Sequence, residues 1–65
     1  MDEHNDNVLG ERAIGRRVRF DVEGVPHVGT VTAYKAGSHY TVDIDGADFW
    51  VGVDDPSARL ARPSD

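Results

Sequence analysis

RRVRFDVEGVPHVGTVTAYKAGSHYTVDIDGADFWVGV, residues 16–53, alternates apolar and polar side chains through four segments separated by glycine-bearing turns. Alternation of period two marks strands with one dry face and one wet face. With Glu23-Gly24-Val25-Pro26, Ala36-Gly37 and Gly46-Ala47 as turns, the chain folds back on itself three times. In that register Val18 lies opposite Val31 and Phe20 opposite Gly29. Val31 then faces Val42, Ala33 faces Tyr40 and Gly29 faces Ile44. Across the third turn Ile44 meets Phe49, Val42 meets Val51 and Tyr40 meets Val53. All of these share one face. A slip of one residue would turn the whole apolar set into water, so agreement through successive turns predicts an antiparallel sheet.

Gly29, opposite Phe20 and beside Ile44, marks a sharp bend or a ring lying over bare backbone. After Val53, Asp54-Asp55-Pro56-Ser57 reads as a tight or 3₁₀ turn, because Asp favours turn starts and proline lacks an amide proton. Arg59-Leu60-Ala61 is then a short fifth strand ended by Pro63. A chain this short has no second layer, so a five-stranded sheet with one apolar face must curl to bury it. The expected fold is all-β, a small five-stranded barrel.

The run Ile14-Gly15-Arg16-Arg17-Val18-Arg19-Phe20, then Gly29-Thr30-Val31, then Tyr40-Thr41-Val42-Asp43-Ile44-Asp45-Gly46, resembles the SH3-like barrels of the Tudor and KOW kind. Such barrels serve as adaptors for peptides, RNA, DNA, ribosomes and polymerases, so the resemblance implies binding rather than catalysis. Tudor-like barrels also hold methylated Lys or Arg in aromatic cages. Tyr34 and Trp50 sit on different strands here and do not match cage positions one by one.

The expected organisation is a flexible N-terminal arm over residues 1–13, a barrel over 14–62 and a frayed end at 63–65. The arm is polar except for Val8-Leu9, which reads either as part of a solvated tail or as a docking segment. A 65-residue chain is one domain with a marginal core. It has no cysteine, which excludes disulfides and thiolate metal sites and fits a cytoplasmic location. The longest apolar run, Phe49 to Val53, contains a glycine, so neither a membrane span nor a signal peptide is expected.

A net charge of −5 argues against a general electrostatic grip on nucleic acid, yet the signs are segregated. Arg12, Arg16, Arg17 and Arg19 come early, whereas Asp43, Asp45, Asp48, Asp54 and Asp55 come late. The derived register places Arg19, Thr30, Asp43 and Trp50 in one outward row and Arg17, Thr32, Thr41 and Gly52 in the next, with Arg19 and Asp43 close enough to pair across Thr30. Trp50 points outward between inward Phe49 and Val51, and an outward tryptophan is a candidate anchor. Tyr34 and His39 are expected on the same outer face.

Chemistry is sparse. Asp43-Ile44-Asp45-Gly46-Ala47-Asp48 superficially resembles a calcium loop, but the glycine falls at the wrong position and no flanking helices are visible, leaving a hairpin turn with Asp45 facing Asp48 at a mild cost. His4, His27 and His39 lack ligand spacing and read as polar surface. The sequence therefore predicts a non-enzymatic binding module with no cofactor or metal. It engages a protein partner through Trp50, Tyr34, Arg19 and Asp43 on the outer face. The alternative is a nucleic-acid-associated module using Arg16, Arg17 and Arg19 against phosphates, with Trp50 stacking on a base. Monomer and edge-strand homodimer both remain open.

Overall fold

The computed structural model describes residues 10–65. A 3₁₀ turn, Gly10–Ala13, leads into five strands: β1 (Arg17–Val22), β2 (Val25–Lys35), β3 (His39–Ile44), β4 (Ala47–Gly52) and β5 (Arg59–Leu60). They form one antiparallel sheet in the order β4-β3-β2-β1-β5. The sheet curls but does not close, since β4 and β5 are its two edges and carry no ladder between them.

The faces follow the predicted alternation, and the pairing differs from it by two residues at two turns. The first hairpin places Val18 opposite Gly29, not Val31, and Phe20 opposite His27, not Gly29. The third places Ile44 opposite Ala47, Val42 opposite Phe49 and Tyr40 opposite Val51. The cause is the same in both. Glu23-Gly24 has φ of 52° and 82°, and Asp45-Gly46 has φ of 53° and 89°. These are two-residue turns with both central residues left-handed, whose backbone twist matches that of the flanking strands. A four-residue loop at Glu23, or a turn with Ala47 as its second residue, gives up that match. Because each shift is even, every side chain keeps its face.

The middle hairpin departs by one residue. Thr30 pairs with Asp43 and Val31 with Val42 as expected, but a bulge between Val31 and Ala33 moves Ala33 opposite Thr41 and Tyr34 opposite Tyr40. An odd insertion exchanges the faces beyond it. Tyr34, expected outward, thus turns in and packs on Tyr40 with ring centroids 5.2 Å apart. Burying a tyrosine removes far more apolar area from water than burying an alanine, which favours the bulge.

The core consists of Ala13, Phe20, Val31, Tyr40, Val42, Val51 and Ala58, with Val18, Val22, Tyr34, Ile44, Phe49 and Val53 packed around it. Phe20, His27 and Phe49 form an aromatic group whose centroids are 6.1–6.5 Å apart. Phe49 belongs to β4 and Phe20 to β1, so side chains draw the two sides of the curl together where no backbone bonds do. His27, read from sequence as polar surface, is half-buried in this group. Gly29 lies at a close approach, but beneath aliphatic side chains and backbone and not beneath an aromatic ring: a Cβ there would lie 2.5 Å from Val42 Cγ1, 2.7 Å from Ile44 Cγ1 and 2.7 Å from the Asp43 carbonyl oxygen.

Both ends of the expected domain need adjustment. Ala13 is buried, the Gly10 amide donates to the Tyr40 hydroxyl, and the Gly15 amide donates to the Val31 carbonyl. Gly10–Ala13 thus belongs to the folded unit and not to an arm. The remainder of the proposed arm, Val8-Leu9 included, lies outside the described residues. The expected fraying at 63–65 is opposed by Asp65, which accepts from both Arg59 Nη atoms and from the Arg62 amide.

Candidate functional site

Trp50 is 74% exposed, more than any other large apolar side chain among the described residues. It stands outward because Val51 is committed to the core and Phe49 to the aromatic group, and alternation leaves no other direction for it. It is not isolated. The His39 ring stacks on the indole at a centroid distance of 4.1 Å and an interplanar angle of 15°. His39 Nδ1 is hydrogen-bonded to Ser38 Oγ at 2.8 Å, which fixes the imidazole against the second turn. One face of the indole is thereby covered by a polar ring and the other is left open. A preformed flat surface of this kind orders few side chains on contact.

The surrounding outer face differs from the predicted rows. Trp50 lies opposite Thr41, while Asp43 lies opposite Asp48, with Thr30 and then Arg17 beyond it in the same row. The like-charged facing is therefore Asp43–Asp48, and Asp45 is in the turn. Among the described residues neither carboxylate has an ion-pair partner. Asp54 adds a third charge, since a Cβ on Gly52 would lie 3.2 Å from Asp54 Oδ1. Gly52 is an outward position opposite His39, so that carboxylate sits on the outer face. Along β4 the outer surface thus runs acid, tryptophan, acid.

Arg19 does not reach Asp43. Its Nη2 lies 2.9 Å from Asp21 Oδ1 on its own strand, and its Nη1 donates to the Ser57 carbonyl. The Ser57 hydroxyl accepts from the Asp21 amide and donates to Asp55 Oδ1, and the Ser57 amide donates to the same oxygen. Arg19 is therefore part of the clasp that holds the turn before β5 against β1. Of the four residues expected to form a contact face, the structure brings Trp50 and Asp43 into adjacent rows, turns Tyr34 inward and places Arg19 across the sheet. His39 lies on the outer face where the sequence places it and supplies the stacking partner of Trp50, whereas the facing of Asp48 with Asp43 and the inward turn of Tyr34 are not read from the sequence. A two-residue turn at Asp45-Gly46 is the signal that gives the Asp43–Asp48 facing.

The other end of the outer face is basic. Arg17, Val28, Ala61, Arg62, Pro63 and Asp65 line an open groove of about 360 Å³ between β1 and the segment after β5. Arg17 is exposed here and Arg16, exposed just before β1, is not part of the lining, whereas Arg59 is engaged in a two-point contact with Asp65. The Arg59 guanidinium and the Arg62 amide hold the Asp65 carboxyl at about 2, below its ordinary 3.8. Among the described residues no three His, Cys, Asp or Glu side chains converge as a metal site, and no helix is long and apolar enough to cross a membrane.

Among the described residues nothing pairs with the outer edge of β4. In a hairpin closed by a two-residue turn, the flanking pair exchanges both hydrogen bonds, and the ladder then alternates. Ile44 and Ala47 are that flanking pair, so the backbone groups of Asp48, Trp50 and Gly52 point away from β3. The Gly52 carbonyl is taken by the Asp55 amide. This leaves the amides of Asp48, Trp50 and Gly52 and the carbonyls of Asp48 and Trp50 on the open side. Comparison with protein-family models, with curated proteins and with solved structures finds no match for this chain.

Proposed function

We propose that the protein is a non-enzymatic binding module of the SH3-like kind, working in the cytoplasm, that engages a protein partner through the outer face of β3 and β4. The observation that carries this reading is the Trp50–His39 stack, an ordered aromatic surface presented to solvent on an edge strand. Large, rigid aromatic side chains dominate the energetics of protein interfaces because they bring area at little entropic cost. Asp43 and Asp48 beside the stack supply orientation and select against acidic partners. The five-stranded antiparallel order and its curl support the SH3-like assignment, and the absence of cysteine in the chain supports the compartment.

The test is Trp50→Ala. Because the indole is 74% exposed, the variant keeps its far-UV spectrum and unfolding midpoint, while capture of the partner weakens by about 2 kcal/mol or more. Wild-type capture by a folded Trp50→Ala protein would remove the anchor and the proposal with it.

A second reading is favoured by the groove beside Arg17 and Arg62. Nucleic-acid phosphates would meet Arg16, Arg17 and Arg62, with Arg19 withdrawn by its contacts to Asp21 and Ser57. That reading requires oligonucleotide affinity that falls steeply with salt and a slope that shrinks in Arg17→Ala. Against it stands the Asp65 carboxylate in the groove and a net charge of −5.

A further inference from the structure

The two edges of the sheet are built differently. β5 is two residues long and is followed by Pro63, both devices that blunt strand addition. β4 is six residues long, contains no proline and ends the sheet, and among the described residues only the Gly52 carbonyl of its outward backbone groups is claimed. Exposed edges of this length normally carry lysine, proline or a covering segment as protection. Here the outward side chains are Asp48 and Trp50, with the Asp54 carboxylate over Gly52.

From this we infer that β4 is a receptor for one further strand, an extended basic segment of a partner protein that adds antiparallel to its open edge. The inference rests on the binding reading above and specifies how the partner is held. Its chemistry follows from the register. In an antiparallel addition, partner residues directly opposite Asp48, Trp50 and Gly52 share the outer face; those opposite Asp48 and Trp50 exchange both backbone hydrogen bonds, and the one opposite Gly52 accepts from its amide, the Gly52 carbonyl being taken by Asp55. Those three partner positions meet, in order, the Asp48 carboxylate, the open face of the Trp50 indole and the Asp54 carboxylate. Lysine or arginine satisfies all three, by ion pairing at the two ends and by a cation over an aromatic face in the middle. A cation at the first position also relieves the Asp43–Asp48 facing, which has no counter-charge among the described residues. The intervening partner residues fall on the inner face, continuing the apolar surface beside Phe49 and Val51. The recognised pattern is basic-apolar-basic-apolar-basic. A second copy of this chain is the wrong occupant: pairing β4 with β4 brings acidic edges together on molecules of charge −5.

The experiment uses the full chain and a capped heptapeptide that alternates Lys and Val, read by amide shifts in the isotopically labelled protein. Expected is saturable binding, with the Asp48, Trp50 and Gly52 amides moving and becoming protected from exchange. The register assigns pairing to the lysine amides, so N-methylation at the Lys positions weakens binding by about tenfold or more, while N-methylation at the Val positions does not. Asp48→Lys weakens the Lys-Val peptide about three- to fivefold, and a Glu-Val peptide does not bind the wild-type protein. No binding of the Lys-Val peptide at about 1 mM would overturn the inference, as would equal binding of the two methylated peptides or of the Glu-Val peptide. So would sedimentation showing a dimer that protects the β4 amides. If equal binding of the methylated peptides is found and Trp50→Ala still abolishes capture, strand addition fails while the outer-face reading stands.

Discussion

Replacing Gly29 with alanine tests the register at its tightest point. The added Cβ would sit 2.5 Å from Val42 Cγ1 and 2.7 Å from both Ile44 Cγ1 and the Asp43 carbonyl oxygen. Carbon atoms pack best at about 3.5–4.0 Å, so each contact is compressed by roughly 1 Å. Relief is not available locally, because Val42 is wholly buried and the oxygen belongs to the β3 backbone. Overpacking of this kind costs about 1–3 kcal/mol, and three simultaneous contacts place Gly29→Ala at the upper end. Alanine returns about 0.5–1 kcal/mol by restricting the unfolded chain, leaving a net loss of about 2 kcal/mol. For a domain of this size that corresponds to a melting point lower by roughly 8–16 °C. Gly52→Ala is the control. Its nearest contact is 3.2 Å, to the movable Asp54 carboxylate, and its midpoint should stay within a few degrees of wild type. Thermal unfolding followed by far-UV circular dichroism reads both. Equal midpoints for the two variants would mean that Gly29 does not lie under Val42 and Ile44, and the β2–β3 register would be wrong.

Two further outcomes follow from the clasp around β5. Ser57→Ala leaves the Asp21 amide without its acceptor and Asp55 without a hydroxyl donor, so urea unfolding should show a loss of about 1–2 kcal/mol with an unchanged m-value; a neutral result would mean water replaces the hydroxyl at no cost. The Asp65 carboxyl, lowered to about 2 by Arg59 and the Arg62 amide, contributes stability that is fully present above 3.8 and is lost as pH falls through 2. Carboxyl titration by NMR should find its midpoint near 2 in the wild-type protein and nearer its ordinary value in Arg59→Ala. A wild-type midpoint near 4 would show that the Arg59–Asp65 contact does not persist in solution.

Which side chains are inside was legible in the sequence, and which strand positions face each other was legible only in part. Val18, Phe20, Val31, Val42, Ile44 and Val51 share the inner face because period-two alternation is a local property that any even shift preserves. Absolute pairing depends on the turn, and Glu23-Gly24 hides its left-handed geometry behind a residue seldom favoured there. Thr32 gives no local sign of a bulge. Its cause lies in the competition between Ala33 and Tyr34 for the space beside Tyr40, which is a tertiary effect. The contact face suffered accordingly. Trp50, flanked by two inward residues, has one direction open to it, whereas the expected pairing of Arg19 with Asp43 gives way to the nearer Asp21 and the distant Ser57. A bond spanning that much sequence leaves no trace in composition or spacing.

The guarded edge has a temporal consequence. β1 is flanked by β2 within one short turn, but its other side is covered only by Arg59–Leu60, near the end of the described chain. A ribosome adding about 5–20 residues per second needs roughly 2–8 s to make the intervening 40 or so residues. Hairpins form in microseconds, so the first four strands can assemble as soon as they emerge. For those seconds the far flank of β1 is bare, and the arginines of β1, rather than any neighbouring strand, are what keep it from sticking to other chains.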